Sequence, residues 1–380
     1  MKYDFDRYLD RFHMRSAKWS LPDQEWISMG TADMDFVSPV EVKQAITADL
    51  NIGNYGYKTG HVQAYFEALS AWEKRRHGIC ISPEQMTFVP GVLSGLAAVL
   101  QCVTQPGDQV IIQPPVYGPF FSIVRQNGRV LSENRLIFQP DAGWKMNFED
   151  LEQRAKTASL LLLCSPHNPV GRVWSREELR QVVDICKRYG VYIGVDQIHH
   201  DITRPEYPFL SLLEIAPDYA DHIFEGMSAS KTFNLAGFAT ACLVSGAPRQ
   251  HSMVQKHLSD LMVSGSMYGL LASETAYLHG DSWHAQVLTY IWENYKFIQQ
   301  FLSQHLPQCV LSPLEGTYLC WLDARPLGRT DKALQETLSQ QKLQLVPGSF
   351  FGGEGYYRFN IACPRPLLAE GLRRLVTAWG

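Results

Sequence analysis

Between about residue 85 and residue 245, short apolar runs alternate with stretches of helical spacing, and this alternation constrains the fold more than any other feature of the chain. The runs are VIIQ from 110, SLLLLC from 159, VYIGVD from 191, DHIFEGM from 221 and TACLVSG from 240. Each is short and largely apolar on consecutive positions, as a strand is when both faces of its sheet are covered. Between them, EELRQVVDICKRYG places apolar residues on one helical face and ends at Gly190, a helix stop. PGDQV reads as the turn entering a strand. The pattern predicts an α/β fold with a mostly parallel, helix-covered sheet.

The last hundred residues follow a different pattern. An amphipathic stretch near 283–305 precedes the strand-like TYLCWLD, KLQLVPG and YYRFNIA, and the helical PLLAEGLRRLVTAW closes the chain. The expectation is a large domain over 45–280 and a smaller α+β domain built from 281–380 with 1–44 packed beside it. A chain of 380 residues, 46% hydrophobic and 19% charged, supports cores of that size.

Lys plus Arg number 34 against 38 Asp plus Glu, so a net charge of −4 gives no electrostatic reason for nucleic acid or an anionic membrane as partner. A small-molecule substrate fits better. The N-terminal residues mix acids and bases without a continuous apolar run, which argues against a secretory signal, and no stretch reaches membrane-spanning length without charges. The eight cysteines are scattered without a Cys-x-x-Cys pair. They are expected to be small buried hydrophobes of a reduced cytoplasm, not disulfides or zinc ligands.

An imine-forming lysine must be accessible and easily deprotonated, which favours an uncharged setting at a strand end. Lys231, in Gly226–Gly237 (GMSASKTFNLAG), has that setting, with Ser228 and Ser230 as hydroxyl donors suited to a phosphate. An ordinary lysine in a Ser-rich turn is the alternative. Asp196 ends the run VYIGVD 35 residues earlier; a carboxylate there keeps a pyridine nitrogen protonated, or caps a helix. Asn168 lies in the loop Cys164–Gly171 (CSPHNPVG), where its amide can donate to a phenolate oxygen or simply serve a turn. All three fall at the carboxyl ends of strand candidates, where ligands of parallel sheets bind.

Further residues complete a pocket. Gly91–Gly95 (GVLSG) opens a helix and can offer backbone N–H groups to a phosphate, and the ring of Tyr117 can lie against a planar cofactor. Both have plainer readings as fold punctuation and a core aromatic. Arg358 sits in an otherwise apolar strand, where an unpaired charge is costly and a bidentate carboxylate would relieve it. The sequence His199-His200-Asp201 shows no companion at metal-ligand spacing, so no metal is expected.

Asn-Pro-x-Gly, Asp-x-x-His and Ser-x-Ser-Lys-x-Phe-Asn-Leu-Ala-Gly, in this order and spacing, resemble the fold-type I aminotransferase superfamily over essentially the whole chain. Within it, Ala32–Phe36 (ADMDF), Tyr55-Gly56-Tyr57, Pro115–Phe121 (PVYGPFF), His199 and Ala362–Arg365 (ACPR) are similar to the MalY/PatB-type cystathionine β-lyases, which cleave the carbon–sulfur bond of cysteine thioethers. The resemblance implies the aspartate aminotransferase fold and pyridoxal 5′-phosphate bound to Lys231 as a Schiff base. It makes Asp196 the partner of the pyridine nitrogen, Asn168 the ligand of the phenolate oxygen and Tyr117 the stacking ring. It also implies that His199 adjoins the cofactor. The phosphate would be held by Gly91, Val92, Leu93, Ser228 and Ser230, and by Tyr57 from a second subunit, so a homodimer with shared sites is implied. Arg358 would hold the substrate α-carboxylate, with Ala32, Asn168 and Tyr57 also at the substrate.

His199 replaces the Tyr, and Ala239 the Arg, that many aminotransferases carry at those places, and Gln197 stands where the lyase branch often has Glu. The rival readings are an aminotransferase using the same residues and a catalytically idle binding protein on this fold.

Overall fold

The computed structural model describes residues 2–56, 61–140 and 143–380. Its main sheet has seven strands: β1 (Met86–Val89), β2 (Gln109–Ile112), β3 (Val130–Glu133), β4 (Ala158–Cys164), β5 (Tyr192–Asp196), β6 (Ile223–Met227) and β7 (Ala241–Ser245). Their order is β1-β7-β6-β5-β4-β2-β3. Pairs involving β7 are antiparallel and all others parallel. The five apolar runs of the sequence became β2 and β4 to β7. Two strands escaped the reading: β1 is interrupted by Thr87, and β3 is an edge strand whose Val130 is exposed, so neither shows a continuous apolar run.

The continuous apolar character of β4 has a direct cause. Leu160 and Leu162 pack with Leu96 and Val99 of the helix Val92–Val103, while Leu161 and Leu163 pack with Leu179, Val182 and Val183 of the helix Arg176–Tyr189. Alternate side chains thus meet helices on opposite faces, and each leucine fully buried in this way contributes roughly 1.5–3 kcal/mol. The helix Arg176–Tyr189 starts in a capping box of Ser175 and Glu178 and stops at Gly190 with φ of 71°. On the other face, a Cβ on Gly226 would stand 2.7 Å from Val92 Cγ1, so glycine is what lets the helix start lie against β6.

The second lobe holds a four-stranded antiparallel sheet of Val310–Leu311, Leu319–Asp323, Tyr356–Asn360 and Val346–Pro347, with the helices Asp281–His305 and Arg365–Trp379. Ile27 and Ser28 pair in parallel with Leu343 and Gln344, which ties the N-terminal residues to this lobe. All eight cysteines are free, as expected, but Cys80 is exposed and Cys102 only partly buried, a correction to the expectation that all are core residues. Among the described residues, no helix is long and apolar enough to cross a membrane.

Candidate active site

Neighbouring parallel strands in register bring their ends level: Cys164 pairs with Asp196, and Asp196 with Gly226. The turns leaving β4, β5 and β6 therefore deliver Asn168, Asp196 and Lys231 to one cavity of about 220 Å³. Tyr117, His199, Ala32, Ser228, Ser230 and the helix start Gly91-Val92-Leu93 also line it.

Lys231 lies in a short helix, Ala229–Thr232, whose cap is Ser228. Its Nζ donates to the Ala32 carbonyl at 2.5 Å, and the Tyr318 hydroxyl donates to the same oxygen at 3.2 Å. Burial lowers the lysine pKa; nearby Asp33 opposes this and Arg358 reinforces it, so the neutral amine is favoured relative to a solvated lysine. The Ala32 loop is held by side chains that sequence reasoning missed. Asn234, at φ 59°, donates to the carbonyls of Met34 and Phe36 at 3.1 and 2.9 Å. Asn360 donates to those of Thr31 and Asp33, both at 2.8 Å. Asp35 is bound by Lys18 at 2.6 Å and by Trp19 Nε1 at 2.9 Å. Asn234 did stand inside the lysine motif, but its spacing alone does not reveal what it clamps.

Asp196 is buried and accepts the Ile198 N–H at 3.0 Å. Burial raises its carboxyl to about 6, against the Ile198 N–H and the charge of Lys231. No cation forms a salt bridge with it among the described residues. The Asn168 oxygen accepts from Arg358 Nη1 at 3.1 Å, which leaves the amide nitrogen as the donor. His199 is buried with Nδ1 unpartnered, and burial together with Lys231 and Arg358 holds it neutral. Burial, then Asp196, raises the Tyr117 pKa and keeps the phenol protonated.

The helix Val92–Val103 begins without a side-chain cap, so its first N–H groups and positive dipole end are available to an anion. The Ser228 hydroxyl donates to the Thr240 carbonyl at 2.6 Å and accepts from Ser230 N at 3.1 Å, which braces the lysine turn. Arg358 stands one contact behind the cavity lining. It donates to Asn168 and to the Gly30 carbonyl at 2.9 Å, and lies 4.6 Å over the Phe351 ring. Its Nε has no partner, no carboxylate pairs with it among the described residues, and burial lowers its pKa to about 10. Tyr57 lies outside the described residues.

Residues 24–375 match the family described as aminotransferase class I and II. The chain belongs to that family. It is 35% identical to cystathionine β-lyase PatB of Bacillus subtilis (strain 168), over 99% of both chains. Among solved structures it is similar to cystalysin from Treponema denticola, which contains a pyridoxal 5′-phosphate cofactor, with a TM-score of 0.94 and 30% identity over 100% of this chain and 99% of that one. It also resembles the pyridoxal-phosphate-bound C–S lyase of Staphylococcus hominis, with a TM-score of 0.93 and 28% identity over 100% and 98%. The aspartate aminotransferase fold expected from the motifs is therefore the fold of this chain.

The residues present fit pyridoxal phosphate. A buried carboxyl lacks the cation that a protonated ring nitrogen would supply, an uncapped helix start offers N–H groups, and a lysine with depressed basicity faces both across one cavity. One further expectation is corrected: His200-Asp201 does have companions. Glu73 and His77 of the helix His61–His77 place ligand-type atoms within 4.8 Å of theirs.

Proposed function

We propose that this protein is a pyridoxal-phosphate-dependent carbon–sulfur β-lyase, cleaving L-cystathionine or a related cysteine thioether to a thiol, pyruvate and ammonia. The observation that carries the reading is the convergence of Lys231, Asp196 and Asn168 on one cavity. When bound, the cofactor supplies an electron sink for the carbanion that forms at the substrate Cα. Asp196 would meet the charge of the ring nitrogen, Asn168 would give its amide hydrogens to the phenolate oxygen, and Tyr117 would lie against the ring. Lys231 Nζ would take the α-proton, for which its lowered pKa suits it. Loss of the thiolate from Cβ follows, and water completes the release of pyruvate and ammonia.

Incubation with cystathionine and no keto acid is expected to yield pyruvate and free thiol in equal amounts. A strict requirement for an added keto acid would replace this reading with that of an aminotransferase.

Arg358 is the proposed anchor of the α-carboxylate, supported by its unmatched buried charge and free Nε. A guanidinium grips a carboxylate through two parallel bonds that a lysine cannot reproduce. Hydrogen bonds to charged groups contribute roughly 1.5–3 kcal/mol each, so Arg358→Lys is expected to lower kcat/KM by about ten- to several-hundredfold. Cofactor content should stay at the wild-type level. Loss of the cofactor, or unchanged kcat/KM toward cystathionine, would remove Arg358 from this role.

The proposed unit is a cytoplasmic homodimer with shared sites. Apart from Lys231, the described lining of the cavity contains no cation to meet a phosphate dianion, and Ala239 stands where many members of the superfamily carry Arg. Tyr57 of a second copy would complete that site. Lys231→Ala and Tyr57→Phe chains, each strongly impaired, are expected to regain activity when mixed and allowed to exchange subunits. Hybrids no more active than either parent would count against shared sites.

A further inference from the structure

The companions of His200 and Asp201 form a second polar cluster, outside the cavity lining. Glu73, His200 and Asp201 are fully buried, and His77 nearly so. His200 Nδ1 bonds the Gln197 carbonyl at 2.8 Å and Nε2 bonds Glu73 Oε1 at 2.8 Å. A carbonyl and a carboxylate only accept, so both ring nitrogens carry hydrogen and His200 is an imidazolium. Asp201, 3.5 Å away, and Glu73 raise its pKa to about 10 against burial.

Asp201 is the hub. Its Oδ1 accepts from Trp72 Nε1 at 2.9 Å and from His77 Nε2 at 2.8 Å, and its carbonyl bonds His284 Nε2 at 3.0 Å. Its Oδ2 accepts from Thr232 Oγ1 at 2.7 Å. His200, His77 and His284 together hold the Asp201 carboxyl ionised despite burial.

A metal does not explain the arrangement. Ligands about 2.0 Å from a tetrahedral zinc stand about 3.3 Å apart, beyond a hydrogen bond. Here His200 and Glu73 meet at 2.8 Å, as do His77 and Asp201, and the Asp201 oxygens already have donors.

Thr232 is the chain neighbour of Lys231, and His200 that of the cavity residue His199. The cluster therefore joins the lysine turn, the turn after β5 and the helix His61–His77 in one buried unit. We propose that Asp201 is a positioning residue for Lys231: its bond to Thr232, anchored by the buried Glu73–His200 pair, fixes the turn that aims Nζ at the reacting carbon. The proposal rests on the reading of Lys231 as the Schiff-base lysine. A contact that only stabilised the fold would change the melting temperature; one that aims the amine changes rates while leaving substrate binding in place.

Thr232→Val removes the hydroxyl and nearly keeps the volume, and Thr232→Ser keeps the hydroxyl. In Thr232→Val the visible absorbance that grows when cofactor is added to the cofactor-free protein is expected to appear about fivefold more slowly, and kcat to fall about tenfold with KM within about twofold. Thr232→Ser should restore both to within about twofold of wild type. If Thr232→Val does not accumulate as folded protein, Thr232→Ala is compared with Thr232→Ser in the same way. Wild-type rates in the hydroxyl-less variant, or no recovery in Thr232→Ser, would overturn the proposal. Borohydride reduction of the wild-type holoenzyme is read separately by peptide mapping. A label on a lysine other than Lys231 would end the Schiff-base reading itself, and this proposal with it.

Discussion

Lys231→Ala is expected to lower pyruvate formation from a cysteine thioether by at least about 10³-fold, within the range in which loss of a positioned acid–base group costs 10²–10⁴ and with the covalent anchor removed as well. The amine sits in a setting that favours its neutral form, with Nζ directed at the Ala32 carbonyl and few rival lysines nearby: it is the one lysine in the described lining of the cavity. The visible absorption band of the holoenzyme should disappear with the imine, while the melting temperature of the cofactor-free protein should change little. Retention of a tenth or more of the wild-type turnover would show that another base lifts the α-proton.

Asp196→Asn is expected to retain cofactor but lose about 10²–10³-fold in kcat, the usual cost of deleting one aligned electrostatic partner of a developing charge. An amide cannot hold the ring nitrogen protonated through charge. A pH effect accompanies this in the cofactor-free protein. Burial raises the folded-state carboxyl to about 6, above the ordinary value of an unfolded aspartate. The folded state therefore holds the proton more tightly, its advantage is complete at low pH, and it fades as pH rises through the folded pKa. Between about pH 4 and pH 7 cofactor-free wild type should lose on the order of 3 kcal/mol relative to Asp196→Asn, whose side chain does not titrate. Urea unfolding of both proteins across that range measures the difference. A parallel pair of stability curves, or near-normal kcat in the variant, would remove Asp196 from the ring nitrogen.

The reach of the sequence differed sharply between residues of the same site. Asn168, Asp196 and Lys231 each end an apolar run or follow it closely, and both properties are local: a run buried on two faces must be apolar throughout, and the turn after it must be polar. Ser228 was legible as a cavity residue, but its proton goes to the Thr240 carbonyl, a bond set by the antiparallel course of β7 beside β6. The direction of β7 was not visible in its composition. Apolar character reports burial and is the same for either strand direction.

Arg358 shows the boundary most clearly. Its presence in an apolar strand announced an unbalanced charge, yet its contact with Asn168 spans 190 residues of chain and places it behind the cavity lining. The Ala32 carbonyl reaches Lys231 across 199 residues, and Glu73 reaches His200 across 127. Periodicity is carried by neighbours a few positions apart, so the chain by itself determined the five apolar strands of the main sheet, the carboxyl-end placement of its chemical residues and the family motifs they form. Which acceptor the lysine touches, which carboxylates surround His200 and which charge remains unmatched were decided only when packing brought distant segments together, because hydrogen bonds and ion pairs depend on separations of a few ångströms that local sequence does not encode.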